Sequence, residues 1–332
     1  MKKTLKIILL ALVLSFLFLV LYFFIGRAPQ AENILWGVNF SQMQTERLGL
    51  DWKDTYLALI EDLGAKYIKL IINWDWVEGK RNDYFFDDVD WQVKKAKENG
   101  VKLMMVIGMK TGRWPECHMP AWVEGLSKEE RENEVLEYIQ EMVLKYRDSN
   151  AVISWQVENE PFFPFGECPK TDINFLKKEV ELVKSLDLQK RPIIISDTGE
   201  FSLWLKAAKI GDIAGTTMYK KVWSKELNVY FSVPFPPLFY WSKAQLVKTL
   251  LGKEVQCVEL QAEPWGPILL YDLPIEEQQK SMNLEKFKHN IEFAKKTGFD
   301  TFYLWGAEWW YWLKEKHNQP EIWNEARKLF QP

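Results

Sequence analysis

Short apolar runs of five or six residues alternate along most of the chain with longer stretches whose apolar positions recur every three to four residues. The first pattern is that of a buried strand and the second that of an amphipathic helix. Read in order, strands fall at Leu35–Phe40, Tyr67–Ile72, Lys102–Ile107, Val152–Val157, Pro192–Ser196, Ile213–Met218, Val255–Glu259 and Thr301–Trp305. Helices follow them at Lys53–Leu63, through Trp91–Glu98, and at Lys128–Tyr146, Asn174–Ser185, Ser202–Ala208, Lys243–Leu251, Ile275–Thr297 and Glu321–Phe330. Alternation of strand and helix implies a parallel sheet, and near-continuous apolar strands imply cover on both faces. Eight such units in roughly 300 residues predict an α/β fold, a closed (β/α)8 TIM barrel, with no second domain and no solenoid repeat. One long segment, Lys221–Trp241, is rich in proline and aromatics and is expected to fold over the barrel mouth as a lid or cleft wall.

The residues ahead of the first strand follow neither pattern. Lys2, Lys3 and Lys6 precede Ile7–Ile25, a run without a single charge. At 1.5 Å per residue that run spans roughly the 30 Å hydrocarbon core of a bilayer. It is longer than the apolar region of a cleaved signal peptide, about 7–15 residues. The expectation is an uncleaved transmembrane signal anchor over residues 1–26, a linker over 27–33 and the barrel over 34–332. The lysines then stay in the cytoplasm and the barrel is extracytoplasmic. Secretion after signal cleavage is the alternative.

Charge narrows the partners. Lys and Arg number 43 and Asp and Glu 46, and residues 1–30 hold four of the cations and no acid, leaving 39 against 46 in the rest. A mildly acidic barrel is a poor ligand for polyanions, so no nucleic acid partner is expected. No GxGxxG opens a helix after the first strand and no P-loop occurs, so nucleotide binding has no support. His118, His289 and His317 are scattered, with no HExxH and no CxxC. Neither a metal nor a cofactor is expected. Cys257 lies in an apolar run and reads as a buried thiol; Cys117 and Cys168 lie in proline-containing loops and are either bridged or two unpaired small residues. The 17 Trp, 12 Tyr and 20 Phe suit both core packing and the stacking of sugar faces.

Active sites of such barrels lie at the C-terminal ends of the strands. Strand four, VISWQV, runs into Glu158-Asn159-Glu160-Pro161, and strand seven closes on Glu259. An acid pressed against an apolar strand end has its charged form disfavoured and suits a general acid, the role expected of Glu160. Glu259 is the candidate nucleophile, with Glu263 four residues on as a competitor, and Asn159 can donate to a sugar 2-hydroxyl.

On these residues the chain resembles clan A glycoside hydrolases, the superfamily of cellulases, β-mannanases, β-glucosidases and β-galactosidases. The likeness spans the barrel and names no single family. It implies Glu160 as acid/base, Asn159 as the 2-hydroxyl contact and Glu259 as nucleophile of a retaining double displacement on a β-glycoside. It further implies that Tyr219 hydrogen-bonds the nucleophile and that Trp305 floors the −1 sugar. Many clan members carry Arg on strand two where this chain has Lys69, a point charge without the bidentate fork.

Further candidate carbohydrate contacts stand in the strand-end loops. These are Trp74, Asp75, Trp76 and Glu78 after strand two, Arg113, Trp114 and His118 after strand three, Asp197 and Glu200 after strand five, and Glu308 after strand eight. Trp74, Trp114 and Glu308 are the preferred ones among them. A catalytically inactive carbohydrate-binding barrel tethered to the membrane is the competing reading, and the two retained glutamates argue against it. A phosphate-handling barrel enzyme is disfavoured because the loops after strands seven and eight, LQAEPWGP and GAEWWYW, hold few glycines. A membrane-tethered scaffold leaves the paired acids unexplained.

Overall fold

The computed structural model describes residues 2–331; Met1 and Pro332, and the side chains of Lys2, Lys3 and Phe16, lie outside the described residues. The described residues form ten strands: β1 (Leu35–Ser41), β2 (Tyr67–Ile71), β3 (Lys102–Ile107), β4 (Val152–Val157), β5 (Ile193–Asp197), β6 (Ile213–Met218), β7 (Lys221–Ser224), β8 (Val229–Ser232), β9 (Glu254–Gln261) and β10 (Thr301–Trp305). Eight of them close in the order β1-β10-β9-β6-β5-β4-β3-β2, all neighbours parallel. This is the expected (β/α)8 barrel, with β9 and β10 as its seventh and eighth strands.

The barrel interior is filled, as apolar strands without alternation demand. Met104, Ile194, Val258 and Tyr303 form an inner layer, and Ile71, Val106 and Trp305 form a smaller cluster against which Tyr219 packs. Gly37 makes room for Tyr303, because a β-carbon there would stand 2.6 Å from the tyrosine ring. The main core lies between strands and helices and buries Trp74, Trp155, Trp204, Trp309, Trp310 and Trp323 completely.

Helix boundaries depart from expectation where local chemistry intervenes. The stretch expected as one helix over Ile275–Thr297 is two, Ile275–Ser281 and Leu284–Lys295, because Asn283 adopts extended backbone and its side chain caps Lys286 N. The helix expected at Lys243–Leu251 starts at Pro237, a residue pre-set for a first helical turn. The segment expected to cover the mouth is accordingly a β7–β8 hairpin, a short connector and the first turn of that helix. The hairpin sits on the rim, where Gln261 Oε1 accepts from Lys220 N at 2.8 Å and Lys221 N at 2.9 Å and Tyr230 OH donates to Glu277 at 2.8 Å. An additional helix, Ala307–His317, forms from the aromatic stretch after β10.

At the N-terminus, Lys2–Phe24 is a single helix, and Thr4–Phe24 is long and apolar enough to cross a membrane. Its last turn docks on the helix Pro237–Leu251. Tyr22 OH donates to Ser242 O at 3.1 Å, Ser242 Oγ donates to Tyr22 O at 2.7 Å, and Phe23 and Phe24 pack on Phe239.

Candidate active site

The end of β4 is held in an unusual conformation. Glu158 and Glu160 both have positive φ, 59° and 42°, a region that non-glycine residues seldom occupy outside functional turns. The turn is pinned from both sides. The Glu158 carboxylate accepts from Met109 N and Lys110 N at 2.7 Å each, and Lys110 Nζ donates to Glu160 O at 3.1 Å and Phe163 O at 2.9 Å. Ser196 Oγ on β5 accepts from Glu160 N at 2.8 Å. The backbone so fixed presents Asn159 and Glu160 at the C-terminal end of the barrel.

Glu259 comes from the seventh strand and sits between two donors. Lys69 Nζ, fully buried on β2, approaches Glu259 Oε1 at 2.9 Å, and Tyr219 OH, just past β6, donates to Glu259 Oε2 at 2.8 Å. Lys69 Nζ also reaches Asn159 Oδ1 at 3.4 Å. Lys69 is thus placed as a point charge between the nucleophile candidate and the asparagine. Both ion-pair partners are buried, so the charges depend on each other and removal of either strands its partner.

Glu160 is surrounded differently. Among the described residues its one side-chain hydrogen-bond partner is the Thr217 hydroxyl, which donates to Oε1 at 3.1 Å. Burial and then the charges of Glu259 and Glu116 push its carboxyl well above the ordinary range. The two carboxyls therefore stand in contrasting surroundings, one beside a cation and a phenol and the other dry and facing negative charge.

A second cluster lines the same end of the barrel. Arg113, from the loop after β3, pairs with Glu263 and, at 3.0 Å, with Glu308, and its guanidinium lies 4.1 Å from the Trp305 ring centre. Glu263 is therefore engaged with Arg113 rather than with Glu160, and burial lifts its carboxyl to about 7. Trp305 has one face covered by Arg113 and is only 7% exposed.

The remaining candidates divide. Trp114 is 39% exposed and begins a run of aromatic contacts, Trp114–Phe165–Trp265–Tyr219, that leads to Glu259. Glu308 is completely buried, accepting from Ser41 N at 2.7 Å and from Arg113, so it supports the cluster from behind. Trp74 departs from expectation: its ring is fully buried against Trp122 and Tyr138 and its Nε1 donates to Glu78, leaving no face free for a sugar. Loop ties occupy most of the others. Glu78 also accepts from Asn82 N, the His118 ring bonds Gly112 O, Asp197 accepts from Thr198 N and Ser202 Oγ, and Glu200 accepts from Tyr240 OH. Asp75 is half-buried and its carboxyl is lifted by desolvation to about 6, and Trp76 is 38% exposed.

Two groups escaped the sequence reading. Gln156, Ser196 and Thr217 orient Asn159 and Glu160 from inside the strands, where they look like ordinary barrel residues. Glu116, whose charge helps to raise the Glu160 carboxyl, stands in the loop that the Cys117–Cys168 disulfide ties down. That bond settles the alternative left open by sequence, and Cys257 is a buried free thiol as expected. A proline-flanked cysteine in each of two neighbouring strand-end loops was the available signal.

Residues 68–177 match the model of glycosyl hydrolase family 10, a stretch that runs from β2 past Asn159-Glu160-Pro161. The chain is similar to clan A glycoside hydrolases. Solved structures of the same fold include a GH5_18 protein from Bifidobacterium longum subsp. longum at 13% identity and TM-score 0.60, covering 82% of this chain and 70% of that one. Endo-glycoceramidase II from Rhodococcus sp., as its lactosyl-enzyme intermediate, aligns at 15% identity and TM-score 0.52 over 84% and 73%. The β-galactosidase from Rahnella sp. R3 aligns at 13% and 0.57 over 92% and 57%. At these identities the likeness establishes the barrel fold that the clan shares. No curated protein sequence matches.

Proposed function

We propose that the chain is a retaining glycoside hydrolase acting on the β-glycosidic bond of an oligo- or polysaccharide, with Glu259 as nucleophile and Glu160 as acid/base. The observation that carries this reading is the unequal environment of the two carboxyls. Glu259 has Lys69 Nζ at 2.9 Å from one carboxyl oxygen and the Tyr219 hydroxyl at 2.8 Å from the other, a cation and a donor that hold the carboxyl in place for attack. Glu160 is dry and faces negative charge, which keeps the proton a general acid must donate.

In the first step Glu259 attacks the anomeric carbon while Glu160 passes its proton to the departing glycosidic oxygen. A covalent glycosyl-enzyme and a free alcohol result. In the second step Glu160, now ionised, takes a proton from water, and the water oxygen displaces Glu259 from the anomeric carbon. Two inversions give net retention. Asn159 has its Oδ1 engaged by Gln156 at 2.9 Å, which turns its amide N–H groups away, toward a sugar hydroxyl. Trp305 and the aromatic run through Trp114 supply apolar faces for sugar rings. Sugar complexes among the structural neighbours, such as the lactosyl intermediate of the endo-glycoceramidase, support a carbohydrate as substrate.

The decisive experiment is Glu259→Gln on an aryl β-glycoside that the parent enzyme hydrolyses. Turnover should fall by several orders of magnitude while sugar binding survives. Parent-like turnover would overturn the assignment. Sugar binding by a parent protein that turns over no glycoside would favour the inactive carbohydrate-binding barrel.

The proposal includes the N-terminal helix as a membrane anchor over residues 1–26, joined through residues 27–33 to an extracytoplasmic catalytic domain over 34–332. The disulfide supports an oxidising compartment. The full-length chain should leave membranes only with detergent, and its recovery in a soluble cytoplasmic fraction would contradict the anchor.

A further inference from the structure

The hydrogen bonds around Glu160 do not end at Thr217. The Thr217 hydroxyl, which donates to Glu160 Oε1 at 3.1 Å, itself accepts from Gly199 N at 3.0 Å. A hydroxyl has a single proton, so accepting from Gly199 on one side turns that proton toward Glu160 on the other. Gly199 lies so close to β6 that a β-carbon there would stand 1.9 Å from Thr217 O. The loop after β5 therefore sets the direction in which Thr217 donates.

That loop is held by a buried amine. Lys243, on the helix Pro237–Leu251, is fully buried, and its Nζ donates to Gly199 O. The nitrogen lies 3.9 Å from the Trp204 ring centre and 4.7 Å from that of Phe239. Trp204 Nε1 donates to Thr198 O at 3.0 Å, so two successive carbonyls of the loop are tied to one cluster. The acids whose charges act on Lys243 are bonded elsewhere. Asp197 accepts from Thr198 N and Ser202 Oγ, and Glu200 accepts from Tyr240 OH. Among the described residues, the one hydrogen-bond acceptor of Lys243 Nζ is Gly199 O. Burying a cation is costly, and a methionine of similar length would fill the same space without that cost. What the lysine adds beyond packing is its bond to Gly199. Burial draws the ammonium down to about 7, and the neutral amine still has N–H groups for the carbonyl.

We propose that Lys243 is a positioning residue for the acid/base Glu160, acting through Gly199 and the Thr217 hydroxyl. The inference rests on the glycosidase reading, in which Glu160 delivers a proton to the glycosidic oxygen. An Oε1 that accepts from Thr217 leaves Oε2 to carry that proton, so the acid presents its O–H from a fixed oxygen. Without Lys243 the Gly199 carbonyl loses its donor, the loop relaxes, and the Thr217 hydroxyl is free to rotate off Oε1. The proton of Glu160 is then correctly placed for only part of the time. The loss falls on protonation of the leaving group rather than on sugar binding.

The test compares kcat/KM for the phenyl and dinitrophenyl β-glycosides of a sugar that the parent hydrolyses. Both values report the first step, and only the phenyl leaving group depends strongly on the acid. Lys243→Met should lower kcat/KM about 10-fold on the phenyl substrate and less than about 2-fold on the dinitrophenyl one. Thr217→Val should show the same selectivity. The double variant should be no worse than Thr217→Val alone, because both substitutions break the same chain of contacts. A lysine that only supports the fold would lower both substrates alike and add its loss to that of the threonine. Lys243→Gln keeps an N–H on a shorter stem, and its loss should again be confined to the phenyl substrate, which covers the case in which the methionine variant does not fold. Equal losses on the two substrates, additive losses in the double variant, parent-like kinetics in Lys243→Met, or failure of both lysine variants to fold would overturn the inference while leaving the glycosidase reading intact. A parent that turns over no glycoside in a broad panel, or a Glu160→Ala variant that keeps the parent rate on the phenyl substrate, overturns that reading, and this one with it.

Discussion

Tyr219 OH donates to Glu259 Oε2 at 2.8 Å, on the carboxylate whose other oxygen faces Lys69. A hydrogen bond to a charged group contributes about 1.5–3 kcal/mol. Tyr219→Phe should thus lower kcat by about 10- to 100-fold. Steady-state kinetics on an aryl β-glycoside checks this, with a melting curve alongside. An unchanged kcat would place the phenol outside the reaction.

Glu160→Ala should act on the two steps unequally. A substrate with a good leaving group needs little acid assistance, so formation of the glycosyl-enzyme is partly spared. Breakdown still lacks its base. Azide, a small anion that needs no deprotonation, should displace Glu259 and restore turnover, giving a β-glycosyl azide. Product analysis by NMR identifies the anomer. An α-azide would contradict net retention, and absence of rescue would remove Glu160 from the base role.

The activity should fall on the alkaline side of its pH profile. The acid form of Glu160 is the active one in the first step. Burial and the charges of Glu259 and Glu116 raise its carboxyl, so protonation persists above the ordinary carboxyl range and activity falls as pH rises through the raised value. Glu116→Gln deletes one of those charges. The alkaline limb of kcat/KM should move to lower pH in that variant. A limb that stays put, or moves up, would mean that Glu116 does not act on Glu160 through its charge.

Cys117 and Cys168 close 51 residues of chain and fix the loop that carries Arg113, Trp114 and Glu116. Cys168→Ser should cost about 2–5 kcal/mol of stability. It should also weaken substrate binding more than removal of an equally stabilising bond elsewhere, because it frees residues that line the site. Thermal denaturation and KM read the two effects separately. Loss of stability with an unchanged KM would assign the bridge to folding alone.

Most of the barrel is legible in the chain because each strand is a short, mainly apolar run and most helices are amphipathic. The same logic pointed to Asn159, Glu160 and Glu259, since strand ends fix their height in the barrel, while Tyr219 and Trp305 came from the resemblance to clan A glycoside hydrolases. It failed where the tertiary structure decides. Trp74 has the spacing of a strand-end aromatic, yet its ring turns outward into the core with Tyr138. The helix Ala307–His317 was hidden in a stretch whose tryptophans read as a loop, although Trp309 and Trp310 are buried. Glu116 owes its place to a cross-link 51 residues long, and no local pattern announces where such a loop lands.

The short stretch after the N-terminal helix has little slack. Gly26 rests on Leu238, and Pro29 O lies so near Gly298 that a β-carbon there would stand 2.9 Å away, with Trp241 on its other side. Tyr22 and Ser242 exchange hydrogen bonds just above. A helix so mounted behaves as a bracket rather than a leash. With the helix in a bilayer, the mouth of the barrel would keep one height and one heading above the lipid, and only sugars presented at that height would come within range.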